Sequence, residues 1–237
     1  MTALRFDMHA INLGEGVQQR ALTVDRELDR VIRAVGRSDL PLKDQAAAVE
    51  EAGRNLMMLD RPWRWWVLKG TLRRHADCGW VFWPLFLAWW DDGETKLTHG
   101  FASMLSRVVR NCGPAHNYMK PEDKSFFDAL PEWVPVYRGT RRPSNNMNGI
   151  SWTTDRDMAE WFARRYDGVD EGHGVLLSGR VRRSNIFAAF TERGESEVLC
   201  LPQHVRDRGE RRVPFGCIPR PPGTGCATPI TGPIPIE

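Results

Sequence analysis

Three short motifs in the second half of the chain carry side chains that can do chemistry. Arg138 and Gly139 close the apolar segment VPVYRG, and the triplet Ser-Trp-Thr follows at residues 151–153, directly before a helical pattern. The acidic triplet Glu-Ser-Glu at residues 195–197 opens the last apolar run, VLCL. Arginine binds anionic phosphate groups, and a fixed carboxylate stabilises positive charge that develops in a transition state.

The two acids of the last motif are two residues apart. If Glu195 and Glu197 lie on one strand, alternation puts both side chains on the same face. Two carboxylates so close repel each other, and this repulsion raises the pKa of one of them. The pattern therefore favours a division of duties between a charged carboxylate and a proton acceptor.

The segments VYRG, GISWTTDRDMAEWFARR and GESEVL together resemble the Arg–Ser–Glu class of mono-ADP-ribosyltransferases. That family has an arginine at a strand end, Ser-x-Ser/Thr before a helix, and Glu/Gln-x-Glu on a later strand. Each motif alone is weak, and their order gives the match its specificity. The resemblance covers about residues 133–202. It implies an α+β fold whose C-terminal split β-sandwich holds NAD in the cleft between its sheets, preceded by a helical N-terminal region.

The resemblance also implies a role for each residue that would hold NAD. Arg138 would pair with the anionic pyrophosphate, as a guanidinium fork does. Gly139 has no Cβ, so its backbone can approach the flat carboxamide of nicotinamide closely. Ser151 and Thr153 would brace the site and orient the catalytic glutamate.

The catalytic residues implied by the resemblance are Glu197 and Glu195. Glu197 would stand beside the ribose and stabilise the developing cation, while neutral nicotinamide leaves without a general acid. Glu195 would take a proton from the incoming nucleophile, and a glutamate here marks family members that modify arginine. The sequence thus predicts transfer of ADP-ribose from NAD to a macromolecule, with protein arginine as the first choice of acceptor.

Three other functions stay open. Water as acceptor would make the protein an NAD glycohydrolase. The arginine clusters at residues 141–142 and 180–183 flank the motifs and would suit a nucleic acid acceptor, DNA or RNA. A non-catalytic module that binds NAD or a partner is the third, with the Trp-rich N-terminal region as a surface for a protein partner.

Each motif residue also has a plain structural interpretation. Arg138 would be an ordinary surface arginine that ends a strand, and Ser151 and Thr153 would be strand residues near a helix cap. Glu195 and Glu197 would form a solvated edge that discourages strand-to-strand aggregation.

Patterns along the chain divide it into three regions. Residues 1–130 are predicted as a helical region, residues 131–205 as the catalytic core, and residues 206–237 as a Pro/Gly-rich extended tail. The helices include VDRELDRVIRAV, KDQAAAVEEAGRNLMML and FASMLSRVVRNCG, which Gly113 ends. Thr154 is the predicted N-cap of the helix that follows the Ser-Trp-Thr motif. The run GWVFWPLFLAWW is too short to span a membrane and contains Pro84, so it is predicted as a buried aromatic core element.

The amino-acid composition indicates the class of protein and its cellular compartment. The 237 residues are 41% hydrophobic and 27% charged, which is typical of a soluble globular protein, and the net charge of +3 is too small to indicate a membrane or nucleic acid partner by itself. The odd count of five cysteines, with no apolar signal core, favours the cytoplasm. His75, Cys78, Cys112 and His116 have spacings that could bind zinc, but buried thiols are favoured and no metal is expected. From the resemblance we expect a bacterial or phage effector or toxin.

Overall fold

The structure is a computed structural model that describes residue 7 and residues 16–90, 99–142, 148–164 and 173–214. The chain divides into two units, Met1–Lys124 and Ser125–Glu237. The division lies within a helix a few residues before the boundary predicted near residue 130.

The first unit is helical, as the sequence predicted. Its helices are α1 Val17–Val35, α2 Leu42–Gly53, α3 Arg61–Arg74, α4 Gly79–Trp89 and α5 His99–Cys112, and α6 Pro121–Ala129 begins in it. The predicted apolar positions of α1, Val24, Leu28, Val31 and Ile32, are all buried. Helix α5 is followed by Gly113 with φ +74°, a left-handed conformation that suits the predicted helix stop.

Helix α4 forms the aromatic core of this unit. Trp83 and Phe82 are fully buried, and Phe86 stacks on Phe82 with ring centroids 5.7 Å apart. The Trp83 indole nitrogen donates to the carbonyl of Gly113 at 3.1 Å, so its polar atom is satisfied inside the core. The aromatic core element predicted here is confirmed. Among the described helices, none is both long and apolar enough to cross a membrane.

The second unit contains one antiparallel sheet of six described strands. The strands are β1 Trp133–Arg142, β2 Ser151–Thr153, β3 His173–Arg182, β4 Ile186–Phe190, β5 Glu197–Cys200 and β6 Arg206–Arg212, and helix α7 Arg156–Arg164 lies between β2 and β3 in sequence. Their order across the sheet is β4-β5-β2-β1-β3-β6. The α+β class is confirmed.

Strand pairing is uneven across the sheet. β1 pairs with β3 along its whole length, from Trp133 opposite Arg182 to Arg142 opposite His173. Its pairing with β2 is a single residue pair, Tyr137 opposite Thr153. We call this short junction the seam. It divides the sheet into a β4-β5-β2 half and a β1-β3-β6 half.

Helix α7 covers one face of the β1-β3-β6 half. Asp155 caps it, because its carboxylate accepts from the amides of Asp157 at 2.8 Å and Met158 at 3.1 Å. The predicted cap, Thr154, is therefore wrong by one residue. A Cβ at Gly139 would overlap the Ala159 carbonyl oxygen, so the helix approaches β1 this closely because that position is glycine.

Two strands were not predicted. β4 is five buried residues, IFAAF, with no alternation, and β6 is RDRGERR with every residue exposed. Strand β6 lies inside the segment predicted as an extended tail and pairs with β3 at the sheet edge. The sheet therefore runs past the predicted boundary at residue 205, and residues 215–237 of that tail lie outside the described residues.

Candidate functional site

The three predicted motifs lie on neighbouring strands. Arg138 is on β1, the Ser-Trp-Thr triplet forms β2, and Glu197 begins β5, in the order β5-β2-β1 across the sheet. Thr153 stands opposite Tyr137 of β1 on one side and opposite Glu197 of β5 on the other. Segments far apart in sequence therefore meet around one residue of the central strand.

Register assigns the side chains to faces of the sheet. Residues directly opposite each other in an antiparallel pair share a face, so Thr153, Glu197 and Tyr137 lie on one face, with Ser151 two residues along β2. Tyr137 packs there against Ala159 and the rest of an apolar cluster under α7. Arg138 starts from the opposite face of β1, because neighbouring residues of a strand alternate. The predicted residues thus lie on both faces of the sheet, with Arg138 on the face opposite to Thr153 and Glu197.

Arg138 is held at the seam. It lies in the middle of β1 rather than at the predicted strand end, and one of its terminal nitrogens donates to the carbonyl of Ser151 at 2.5 Å. A Cβ at Gly149 would overlap the guanidinium, which shows how closely the chain surrounds it. Burial lowers the Arg138 pKa and the charge of Glu197 opposes that shift. Arg138 is therefore not the exposed arginine of the structural interpretation.

Thr153 holds the backbone of the acidic motif. Its side chain is buried, with 7% of the residue exposed. The hydroxyl donates to the Glu195 carbonyl at 2.6 Å and accepts from the Asp155 amide at 3.0 Å. The amide of Thr154 donates to the Ser196 carbonyl at 3.1 Å. Two of these hydrogen bonds join the end of β2 to the turn before β5, and the third holds the start of α7 to Thr153.

The two acids do not share a strand. Strand β5 begins at Glu197, whereas Glu195 has helical dihedral angles, φ −86° and ψ −13°, at the end of a short turn. Ser196 between them has φ +44°, a left-handed conformation that costs a non-glycine residue about 1–2 kcal/mol. The prediction that alternation puts both carboxylates on one strand face is wrong. Strain of this kind is concentrated at functional sites, where the surrounding structure maintains it.

Gly139 has a structural role that sequence analysis missed. Besides the Ala159 oxygen, a Cβ there would lie 2.5 Å from the amide nitrogen of Ala163 and 2.8 Å from the Cβ of Phe162. Its Cα faces the backbone of α7, so packing alone explains the glycine. Its contact with nicotinamide stays a prediction.

A second arginine lies on the Arg138 side of the sheet. The Arg208 guanidinium is 5.9 Å from the ring centroid of buried Trp152 and donates to the Asn148 side chain at 3.4 Å. Cys200 lies nearby: burial raises its thiol pKa to about 12, and Arg208 and Arg138 act in the opposite direction. Sequence analysis missed Arg208 because it lies in the segment predicted as a tail, which carries no apolar periodicity.

The described part of the chain contains no group of three or more His, Cys, Asp or Glu side chains that could hold a metal ion. Cys112 lies against the start of α4, since a Cβ at Gly79 would lie 3.0 Å from the Cβ of Cys112. Burial raises the pKa of the Cys78 and Cys112 thiols, so both are protonated near neutral pH.

Comparison with protein-family models, with curated proteins and with solved structures finds no match for the chain. What can be said of its function rests on the residues and geometry given above.

Proposed function

We propose that the chain is a mono-ADP-ribosyltransferase that transfers ADP-ribose from NAD to a macromolecule, first of all to protein arginine. One observation carries the proposal: the arginine, hydroxyl and glutamate motifs, more than fifty residues apart at their extremes, lie on three adjacent strands. Residues chosen at random from the sequence would not be expected to lie around one strand. The split β-sandwich expected of this class stays a prediction, since the described strands form one six-stranded sheet in which β1 and β2 pair at a single residue pair.

The chemistry assigns one duty to each acid. Glu197 stabilises the ribosyl cation as the bond between the ribose C1′ and the nicotinamide nitrogen breaks, and the electron pair leaves with nicotinamide. The acceptor guanidine nitrogen then bonds to C1′ and loses a proton to Glu195. Arg138 reaches the seam from the face opposite to Glu197, and its guanidinium would balance the pyrophosphate there.

The turn before β5 separates the two acids in backbone conformation. Glu195 ends a short turn, whereas Glu197 begins β5. The proposed division of duties therefore depends on the chemistry of the reaction and not on alternation along a strand. Thr153 fixes the backbone of the turn through its bond to the Glu195 carbonyl.

The test is incubation of the protein with NAD carrying a label on its adenylate moiety, in a cell lysate, with nicotinamide release measured in parallel. We expect label on macromolecules and release of nicotinamide. Glu197→Gln keeps the size of the side chain and removes its charge, so we expect a loss of about 100-fold or more in turnover, as for removal of a group that stabilises transition-state charge. Glu192→Gln, an exposed acid in the same turn, is the matched control and should keep full activity.

The acceptor is tested with Glu195→Ala. Removing the base should abolish transfer to arginine and leave hydrolysis of NAD largely intact. Equal loss of both activities would contradict the division of duties. Label that resists protease and is released by nuclease would instead assign nucleic acid as the acceptor, and nicotinamide release without any labelled macromolecule would assign a glycohydrolase.

A further inference from the structure

The helical unit contains a charged cleft that the proposed enzyme function does not use. Its volume is about 510 Å³. Five arginines line it against two aspartates, an excess of three positive charges. The lining residues are Asp25, Arg26, Asp29, Arg30, Arg33, Arg37 and Arg74. We call this site the arginine cleft.

The two aspartates of the arginine cleft are already neutralised. Asp29 is only 8% exposed and is paired with Arg33, with His75 at 3.2 Å. Asp25 is paired with Arg74 at 2.6 Å. The Asp25–Arg74 pair joins α1 to α3, and the Asp29–Arg33 pair lies within α1. They leave the positive excess on the remaining arginines.

Arg26 and Arg37 carry most of that excess. Arg26 donates to the Leu22 carbonyl at 3.3 Å and to the Thr23 hydroxyl at 3.2 Å, and Arg37 donates to the Arg33 carbonyl at 3.2 Å. All of these acceptors are neutral oxygens of the same helix. Both guanidinium charges are thus available to an anion that enters the cleft. Arg30 shares its charge with Glu27 at 2.9 Å.

The arginines of the cleft follow one another closely along the chain. Arg26, Arg30 and Arg33 are separated by four and three positions, the spacing of neighbours on one face of α1, and Arg37 follows two residues beyond the end of that helix. From Arg26 to Arg33 the row is ~10 Å long at ~1.5 Å per residue. An extended polyanion can contact the whole row, whereas a small anion contacts only part of it.

Helix α3 adds an aromatic surface to the same unit. Trp66 is 49% exposed, unusual for an indole. Lys69 and Arg73 follow it at three- and seven-residue spacing, on the same side of α3. An exposed indole beside basic side chains is a stacking platform for unpaired bases.

We propose that the arginine cleft binds the phosphate backbone of single-stranded nucleic acid. The guanidinium fork matches phosphate oxygens, and Arg26 and Arg37 supply two of the contacts. This site is independent of the proposed transferase activity, since it uses no residue of the seam and its test contains no NAD.

The test measures fluorescence polarisation of a labelled single-stranded RNA of about 12 nucleotides, within the usual range of single-strand sites, titrated with the full chain at several salt concentrations. The double variant Arg26→Gln, Arg37→Gln removes two phosphate contacts. Since each contributes about 0.7 to the slope of log K against log salt, we expect the slope to fall by about 1.4, equivalent to about 25-fold weaker binding at about 0.1 M salt.

The matched control is Lys43→Gln with Arg54→Gln. It removes the same charge from exposed positions of the same unit that do not line the arginine cleft, and it should leave the slope within about 0.3 of wild type. Circular dichroism is used to check that both variants fold. Unchanged binding in the double variant, an equal loss in the control, or equal competition by poly-glutamate and RNA would each overturn the proposal. Binding of inorganic tripolyphosphate without binding of RNA would also overturn it, because the site would then serve a free phosphate compound.

Discussion

Replacing Thr153 by valine tests whether the acidic motif depends on one buried hydroxyl. Valine keeps the shape of the side chain and removes the donor to the Glu195 carbonyl and the acceptor for the Asp155 amide. A buried polar group that loses its partner costs about 1–3 kcal/mol. Two groups lose their partner here, and water reaches part of the turn, so we expect a loss of about 2–4 kcal/mol in the free energy of unfolding.

Urea unfolding followed by circular dichroism measures this loss, with Thr153→Ser as the control. Serine keeps the hydroxyl and removes only a methyl group, so it should recover more than half of the loss. Transfer of ADP-ribose to arginine should fall further in the valine variant than its folded fraction explains, because the turn that carries Glu195 then loses its hydrogen bond to Thr153. A valine variant within about 0.5 kcal/mol of wild type, the usual range of neutral surface changes, would refute the role given to the hydroxyl.

Three further outcomes follow from single contacts. Asp155→Ala should lower the free energy of unfolding by about 1 kcal/mol, because α7 loses its cap, and Asp155→Asn should restore most of it in the same urea titration. Gly139→Ala should destabilise the protein by about 3 kcal/mol or more in thermal unfolding, because the neighbouring atom is the backbone oxygen of Ala159 rather than a movable side chain. Cys200 should resist iodoacetamide at pH 9, where an ordinary thiol reacts. Between pH 9 and about 12 its retained proton should also make stability fall as pH rises, since the unfolded chain releases that proton first.

Much of the secondary structure was predictable because an element that buries one side repeats apolar residues at the period of a helix or a strand. The apolar stripe of α1 and the strands β1 and β3 all pack one side against a core. Strand β6 was not predicted because all its residues are exposed, so that only its backbone pairing with β3 identifies it as a strand. Strand β4 was not predicted for the opposite reason, since five buried residues in a row show no alternation.

The motif residues were predictable as members of strands, but their arrangement in the sheet was not. The motifs named Arg138, Thr153 and Glu197 correctly as residues of the sheet, yet nothing in their spacing showed that β2 would lie between β5 and β1. Serine has no preference for the left-handed conformation, so the turn at Ser196 left no signal in the sequence. Tertiary contacts from Thr153 and Thr154 impose it.

Several motif residues have both a structural role and a proposed chemical role. Only some variants can therefore test whether the protein is an enzyme. Whatever the protein catalyses, Arg138 binds the Ser151 carbonyl of β2, and Thr153 binds the Glu195 carbonyl of the turn before β5. Gly139 lies against α7. Loss of activity in variants of these residues follows from a damaged sheet as readily as from a damaged active site. Glu197 differs, because it is half-buried and the change to glutamine preserves its volume while removing the charge that the proposed reaction requires. A folded, inactive Glu197→Gln variant therefore separates catalysis from architecture where variants of its neighbours do not.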